Sequence, residues 1–154
     1  MSDLNRFVSA QNGVYERALS EIKNGYKVTH WMWYIFPQIV GLGCSEISEF
    51  YGIRGISEAK DYLNDEVLGN RLREISLELL KLDKSDPVEV FGGIDSIKLK
   101  SSMTLFDYVS DDGDNVFMKV IDKYFGGEKD ELTLKICDSL SGTVKTKLRW
   151  EYEL

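Results

Sequence analysis

Residues 65–84 read DEVLGNRLREISLELLKLDK, and their hydrophobic spacing predicts the clearest helix of the chain. Five apolar residues recur at alternating steps of four and three positions, which places them on one helix face. They are Leu68, Leu72, Ile75, Leu79 and Leu82. Asp65 is a suitable N-terminal cap, and Asp86-Pro87 is a suitable stop because the residue before a proline disfavours helical backbone. An amphipathic helix of this length predicts that other helices cover its apolar face.

Helices are also predicted on both sides of this stretch, from apolar spacing and from residues that begin or end helices. Short polar side chains accept hydrogen bonds from the free N–H groups of a first turn, and glycine favours the turn that follows a helix. The predicted caps are Ser57, Asp95 or Ser96, Asp114 and Thr133, and the predicted ends are Asn24-Gly25 and Gly126-Gly127. The predicted fold class is therefore mainly α, a compact multi-helix single domain.

The last residues break this helical pattern. From Val144 to Leu154, apolar and charged residues alternate with a period of two, which is typical of a strand or an extended segment. We therefore predict a helical domain over residues 1–142 and an extended C-terminal tail over residues 143–154. A lone strand is unstable in water, so the tail is expected to pack in cis or to form a homodimer contact with a second chain. Packing in cis is the favoured alternative.

The composition of the chain limits the classes of partner that it is expected to bind. The chain has 154 residues, of which 43% are hydrophobic, and is long enough for one domain with a sizeable core. Its formal net charge of −7 opposes binding to nucleic acid or to an anionic membrane surface. No apolar run reaches the length of about 20 residues that a membrane span needs, and the N-terminus has no signal-peptide pattern. We expect a cytoplasmic protein that binds neither nucleic acid nor membrane.

The cysteines and the histidine argue against bound metals and cofactors. Cys44 and Cys137 form no CxxC pair and are expected to be reduced and packed. His30 is the only histidine, which excludes a metal site built on several imidazoles. The segment GLGCSE begins like a dinucleotide-binding motif at residue 41, but Glu46 stands where the third glycine belongs. We therefore predict no metal and no cofactor.

Three stretches combine polar groups with aromatic or apolar neighbours. They are KVTHWMWYIFPQ at residues 27–38, GLGCSEISEFYGI at 41–53 and FGGIDSIKLKSSMTLF at 91–106. An unpaired buried hydroxyl or amide costs about 1–3 kcal/mol, so these groups must satisfy one another or bind a ligand. The residues predicted to bind a ligand are Trp31, Trp33, Gln38, Ser45, Lys98, Lys100, Ser101, Ser102 and Thr104.

These stretches have two interpretations, of which the more specific is that their polar residues line one shared pocket. It would bring His30, Gln38, Lys98 and the hydroxyls of 101–104 together, with Trp31 or Trp33 as a wall. The structural interpretation assigns a hydrogen-bonded packing role to the histidine, helix capping to the serines of 41–53 and a buried hydrogen-bond network to the hydroxyls.

Three functions from different classes fit these residues. The first is a domain that binds a small polar or anionic metabolite, including nucleotide-derived ones, between helices. The second is a metal-independent hydrolase or lyase that uses His30 as general acid or base, oriented by Glu46 or Asp107. The third is a protein-interaction adaptor that docks through an exposed aromatic surface or the tail. The sequence leaves all three open.

Five blocks resemble those of a family of uncharacterised bacterial domains of unknown function. In chain order they are HWMWYIFPQ, GLGCSEISEFYGI, AKDYLNDEVLGNRL, VFGGIDSIKLKSSMTLF and FGGEKDELTL. The resemblance spans about residues 4–140 and implies a compact, mainly helical fold without an established activity. Such proteins are sometimes labelled calpastatin, but a calpain inhibitor of that kind is largely disordered, whereas this chain has the apolar faces of a packed domain. Asn64-Asp65-Glu66 departs from the His-Pro pair often found there, which removes any role for a histidine at that place.

Overall fold

The structure, a computed structural model, describes residues 3–142 and confirms the mainly α fold. Ten helices form among these residues. In chain order they are α1 (Asn5–Gln11), α2 (Tyr15–Lys23), α3 (Met32–Ile35), α4 (Glu46–Phe50), α5 (Ile56–Asn64), α6 (Glu66–Lys81), α7 (Pro87–Phe91), α8 (Gly93–Tyr108), α9 (Val116–Phe125) and α10 (Glu131–Ser141). The tail predicted for residues 143–154, with its packing in cis or on a second chain, lies outside the described residues.

Helix α6 is the central element that its spacing predicts. Leu68, Leu72, Ile75 and Leu79 are all buried, and the helix packs on α2, α5 and α9. Leu82 is half-buried just past the end of the helix. From α9, the ammonium of Lys123 donates hydrogen bonds to the carbonyl oxygens of Leu79 at 3.1 Å, Leu80 at 3.0 Å and Leu82. The last carbonyls of α6, which have no partner within their own helix, are thus satisfied by a neighbouring helix.

Several predicted helix ends are confirmed. The Asp65 carboxylate accepts hydrogen bonds from the N–H groups of Val67 and Leu68 and so caps α6. Asn24 is the C-terminal cap of α2, and Gly126 ends α9 in the left-handed conformation, at a φ of 62°. Among the two cysteines, Cys137 is packed as expected, but Cys44 is exposed, so its predicted packing is wrong.

The caps predicted for α5 and α8 are wrong. Helix α5 begins after Gly55 rather than at Ser57, and α8 begins after Gly92. Asp95 and Ser96 lie inside the first turn of α8, where the Ser96 hydroxyl donates to the Gly93 carbonyl at 2.8 Å. The apolar spacing that predicts α8 begins at Leu99, six residues after the helix does, so it misplaces the start.

The caps predicted for α9 and α10, Asp114 and Thr133, are wrong by one and three positions. Asn115, next to Asp114, accepts a hydrogen bond from the Met118 N–H group and caps α9. Asp130 caps α10, and Thr133 donates its own hydroxyl and N–H to the Asp130 carboxylate at 2.6 and 2.9 Å. Asp130 is the better cap of the two, because a carboxylate accepts a backbone N–H more strongly than a threonine hydroxyl does.

We expect Leu72→Ala and Leu79→Ala each to lower the free energy of unfolding by about 2–5 kcal/mol, because each leaves a cavity beneath the central helix. Urea denaturation measures the loss. Leu77→Ala on the same helix is the matched control, since the Leu77 side chain is 48% exposed. A loss below about 1 kcal/mol at both buried positions would contradict the central role of α6.

Candidate functional site

A cleft of about 310 Å³ opens between the segment after α3, the segment around α4, the first half of α8 and the start of α10. Most of its surface is apolar, and a few polar side chains converge on it. Its lining residues are Trp33, Gln38, Ile39, Leu42, Gly43, Ser48, Tyr51, Gly52, Ile94, Ile97, Lys98, Ser101, Asp130 and Leu132. An apolar cleft with few polar groups is the usual composition of a small-molecule site.

Lys98 is the cation of the cleft. Its ammonium lies 4.0 Å from the centre of the Trp33 ring and 3.2 Å from the Asp95 carboxylate. Asp95 is shared, because Lys27 pairs with its second oxygen at 2.9 Å. Two ammonium groups therefore share one carboxylate, and Lys98 is the one of the two that lines the cleft.

A buried carboxylate fixes the segment that leads into Trp33. Glu21 on α2 accepts hydrogen bonds from the Val28 N–H group, the Thr29 N–H and hydroxyl groups and the Trp31 indole, at 2.6–3.0 Å. Burial acts to raise the pKa of Glu21, but the Thr29 hydroxyl and the other donors outweigh it and lower the pKa from 4.5 to about 2. Glu21 thus holds the aromatic block in place as a carboxylate.

The protonation of Glu21 predicts a pH-dependent stability. Because its folded-state pKa is depressed, Glu21 stabilises the fold above pH 4.5, and this contribution is lost as the pH falls from 4.5 towards about 2. We expect the stability of the wild-type protein to fall more steeply over this window than that of Glu21→Gln, which is less stable at neutral pH. Urea denaturation at several pH values measures both, and parallel curves would contradict this role.

A buried ion pair fixes the opposite wall of the cleft. The Arg6 guanidinium on α1 pairs with Glu58 at 2.6 Å and donates to the carbonyl oxygens of Phe50 at 2.7 Å and Gly52 at 2.9 Å. Gly52 is also close to Val40, since an added Cβ would lie 2.9 Å from the Val40 Cα. A parallel bridge between residues 39 and 53 joins the two segments. The walls on this side are therefore tied together through the main chain.

The hydroxyl groups of α8 bond mainly to their own helix. Ser101 donates to the Ile97 carbonyl at 3.3 Å, and Thr104 donates to the Lys100 carbonyl at 2.8 Å while accepting from the Asp130 N–H group at 2.9 Å. Ser102 is fully buried, and its hydroxyl has no hydrogen-bond partner among the described residues. The structural interpretation of these hydroxyls thus applies to Thr104, whereas Ser101 lies at the cleft.

The cleft contains some of the residues that the sequence singled out. Four of them line it, namely Trp33, Gln38, Lys98 and Ser101. Five do not, namely Trp31, Ser45, Lys100, Ser102 and Thr104. The single pocket predicted for all of the polar residues is therefore wrong in extent.

Hydrogen bonds or ion pairs account for four of the five remaining residues, and Ser102 is the exception, because its buried hydroxyl has no partner among the described residues. Trp31 is buried and donates its indole N–H to Glu21, and Ser102 and Thr104 are buried within α8. Ser45 caps α4 by accepting from the Ser48 N–H group at 3.2 Å, as the capping interpretation predicted. Lys100 pairs with Glu128 at 3.0 Å.

His30 lies outside the cleft. It is exposed, and its imidazole makes no hydrogen bond to any described residue. Asp107, one of its proposed carboxylate partners, instead pairs with Lys129 at 3.0 Å and accepts from Asn115 at 2.8 Å. The hydrolase or lyase function stays a prediction that no contact of His30 favours.

Residues that sequence reasoning missed complete the cleft. Tyr51, Leu42 and Ile39 supply apolar surface, while Asp130 and Leu132 come from the far end of the chain. Local sequence carries no signal for Asp130 or Leu132, because only the packing of α10 on α8 brings them to the cleft. Tyr51 lay within a block already noted as unusual.

A known protein family matches most of the chain. Residues 1–137 match the family described as "Protein of unknown function (DUF1810)". The chain belongs to this family. All residues that line the cleft lie within the matched range, and the resemblance to an uncharacterised domain family is confirmed.

A solved structure is similar to this DUF1810 chain over most of its length. It is the crystal structure of the conserved hypothetical protein Rv1873 from Mycobacterium tuberculosis, with 41% sequence identity and a TM-score of 0.83. The match covers 86% of this chain and 94% of that one. No curated protein shows significant sequence similarity to this chain. Within residues 3–142, no helix is long and apolar enough to cross a membrane.

Proposed function

We propose that this DUF1810 protein binds a small molecule with an apolar body and a polar or anionic group in the cleft between α3, α4, α8 and α10. The observation that supports this most is the position of Lys98, whose ammonium lies 4.0 Å from the Trp33 ring centre beside a largely apolar cavity. A partly buried ammonium can form charge-assisted hydrogen bonds with an anionic group, while the surrounding apolar surface recognises a hydrophobic body.

The polar groups of the cleft suit the recognition of a ligand. Gln38 offers both donors and acceptors, and the Ser48 hydroxyl donates to the Ser45 carbonyl at 2.8 Å, so its oxygen is left to accept. Both walls are held rigid by buried carboxylates, Glu21 on one side and Glu58 on the other. A preformed cleft of this kind lowers the entropic cost of binding.

A metabolite library screened by thermal shift tests this proposal. A ligand at 100 times its Kd adds about 2.7 kcal/mol to the apparent stability, a shift that is readily measured for a domain of this size. We expect the shift caused by the best hit to fall in Lys98→Met and in Trp33→Leu. It should persist in Lys119→Met, because Lys119 is 53% exposed on α9, which contributes no residue to the cleft. A shift unchanged in both cleft variants would contradict the proposal.

A protein-interaction adaptor is a second candidate, and exposed apolar residues beside the cleft favour it. Ile94 is 75% exposed, Ile97 is 64% exposed and Leu132 is 51% exposed, and all three line the cleft. Large exposed aliphatic side chains in one patch are a feature of docking surfaces. An absence of hits in the metabolite screen, together with loss of partner binding in Ile94→Ser/Ile97→Ser, would favour the adaptor.

A further inference from the structure

Two residues of opposite charge line the cleft, Lys98 on α8 and Asp130 at the start of α10. Lys98 and Ser101 line it three residues apart, and the Asp130 N–H group is hydrogen-bonded to Thr104 at the next step of three. With a rise of 1.5 Å per residue, the backbone levels of Lys98 and Thr104 are about 9 Å apart along the helix. Lys98 and Asp130 therefore line the cleft beside different levels of α8.

The end of the cleft at Lys98 suits one negative charge. Lys98 is the one basic residue among the described residues that line the cleft, so it supplies one positive unit there, which Asp95 at 3.2 Å partly offsets. A phosphate monoester carries close to two negative charges near neutral pH, which exceeds that unit. Asp130 in the same cleft would also repel a dianion. A carboxylate, with its single charge, matches this end.

The end of the cleft at Asp130 suits a hydrogen-bond donor. One carboxylate oxygen of Asp130 accepts from the N–H and hydroxyl groups of Thr133. A carboxylate has about four lone-pair sites, so Asp130 retains capacity to accept from a ligand. The Ser101 hydroxyl donates its single proton to the Ile97 carbonyl, so its oxygen can only accept a hydrogen bond from a ligand. Asp130 and Ser101 can therefore both accept a hydrogen bond from a donor group on the ligand.

Between these ends the cleft is apolar and small. Trp33, Ile39, Leu42 and Tyr51 provide aromatic and aliphatic surface, and the volume of about 310 Å³ is near the lower limit for ligand sites. Aromatic side chains favour a planar partner through stacked or edge-to-face contacts. This part of the cleft suits a single aromatic ring rather than a nucleotide.

From these four features, and given the proposed function, we infer the class of ligand. The ligand is a compact aromatic carboxylate that carries a hydrogen-bond donor, such as an ammonium or hydroxyl group, at the end opposite its carboxylate. Lys98 binds the carboxylate, Asp130 and Ser101 accept from the donor, and Trp33 and Tyr51 hold the ring.

Three probes of nearly equal shape test this class. They are para-(aminomethyl)benzoate, para-methylbenzoate, which lacks the ammonium, and para-(aminomethyl)benzamide, which lacks the carboxylate. Their Kd values for the full chain are measured by NMR titration. We expect the first probe to bind at least about tenfold more tightly than either of the others, the loss that one charge-assisted hydrogen bond implies.

Two variants assign each preference to a residue. Lys98→Met keeps an apolar stem on Trp33 and should abolish the preference for the benzoate over the benzamide. Asp130→Asn keeps a residue that caps helices equally well, so the start of α10 is preserved, and it should reduce the preference for the aminomethyl over the methyl probe. Lys119→Met, on α9, should change neither preference.

Each outcome bears on the inference. Equal affinity for all three probes, or the tightest binding by the benzamide, would overturn it. If no probe binds while a metabolite from the screen binds in the cleft, the ligand class is wrong and the proposed function stands. If neither the probes nor any metabolite binds there, both are overturned.

Discussion

Gly69→Ala is expected to lower the free energy of unfolding by about 3 kcal/mol or more, although alanine favours a helix over glycine by about 1 kcal/mol. A Cβ at Gly69 would overlap the carbonyl oxygen of Leu63 and lie 2.8 Å from its carbonyl carbon. These are backbone atoms near the end of α5, so they cannot rotate away as a side chain would. Since Asp65 alone joins α5 to α6, the two helices would have to separate at their corner.

Gly93→Ala is the matched control for this prediction. Gly93 is also helical, at the start of α8, and an added Cβ there would meet no atom within 4 Å. Its stability should stay within about 1 kcal/mol of the wild-type value, with any change in the direction of stabilisation. Urea denaturation compares the two variants. If Gly69→Ala is as stable as Gly93→Ala, the close approach of α5 and α6 does not exist in solution.

Arg6→Ala is expected to have an effect of similar size, about 3–5 kcal/mol, because it leaves the Glu58 carboxylate buried without its cation. The two side chains are only 5% and 6% exposed. Arg6 also donates to the Phe50 and Gly52 carbonyls, which would lose their partner as well. Because Gly52 lines the cleft, the same variant should weaken binding of the best ligand from the screen.

An exposed ion pair provides the control for Arg6. Lys81 pairs with Glu78 at 2.9 Å, but its side chain is 67% exposed, so Lys81→Met should cost no more than about 1 kcal/mol. The double variant Arg6→Met/Glu58→Leu removes both buried charges and should recover part of the loss. Full recovery would contradict a role for the carbonyl contacts of Arg6, and a loss for Arg6→Ala no larger than for Lys81→Met would contradict the buried pair.

The sequence predicts the long helices well and their starting residues poorly. Helix α6 follows from five apolar residues at helical spacing and from one capping aspartate, because both signals are local. The start of α10 does not follow from local signals, because Asp130 and Thr133 both suit a cap. Only the hydrogen bond between them shows which one acts as the cap. Short helices such as α1 and α7 carry too few turns for a periodic signal.

The candidate site was predictable in part, where its residues lie together in one aromatic block, as Trp33 and Gln38 do, or on one helix. Lys98 and Ser101 are three positions apart on α8 and therefore share a face, so the prediction that they act together needed no tertiary information. Ser102, one position further on, was grouped with them but faces a different direction of the helix and is fully buried. Asp130 reaches the cleft through its bond to Thr104, a contact between residues 26 positions apart that no local pattern encodes.

Binding of a small molecule in the cleft beside Trp33 and Lys98 is the central claim, and chemical-shift mapping tests it most directly. The ¹⁵N-labelled chain is titrated with the best ligand from the thermal-shift screen, and the amide shifts are followed by NMR. The account predicts that the largest changes centre on Trp33, Gln38, Lys98 and Ser101, with none of comparable size on the exposed face of α9. Changes that leave these four residues unaffected and gather elsewhere on the chain would contradict it.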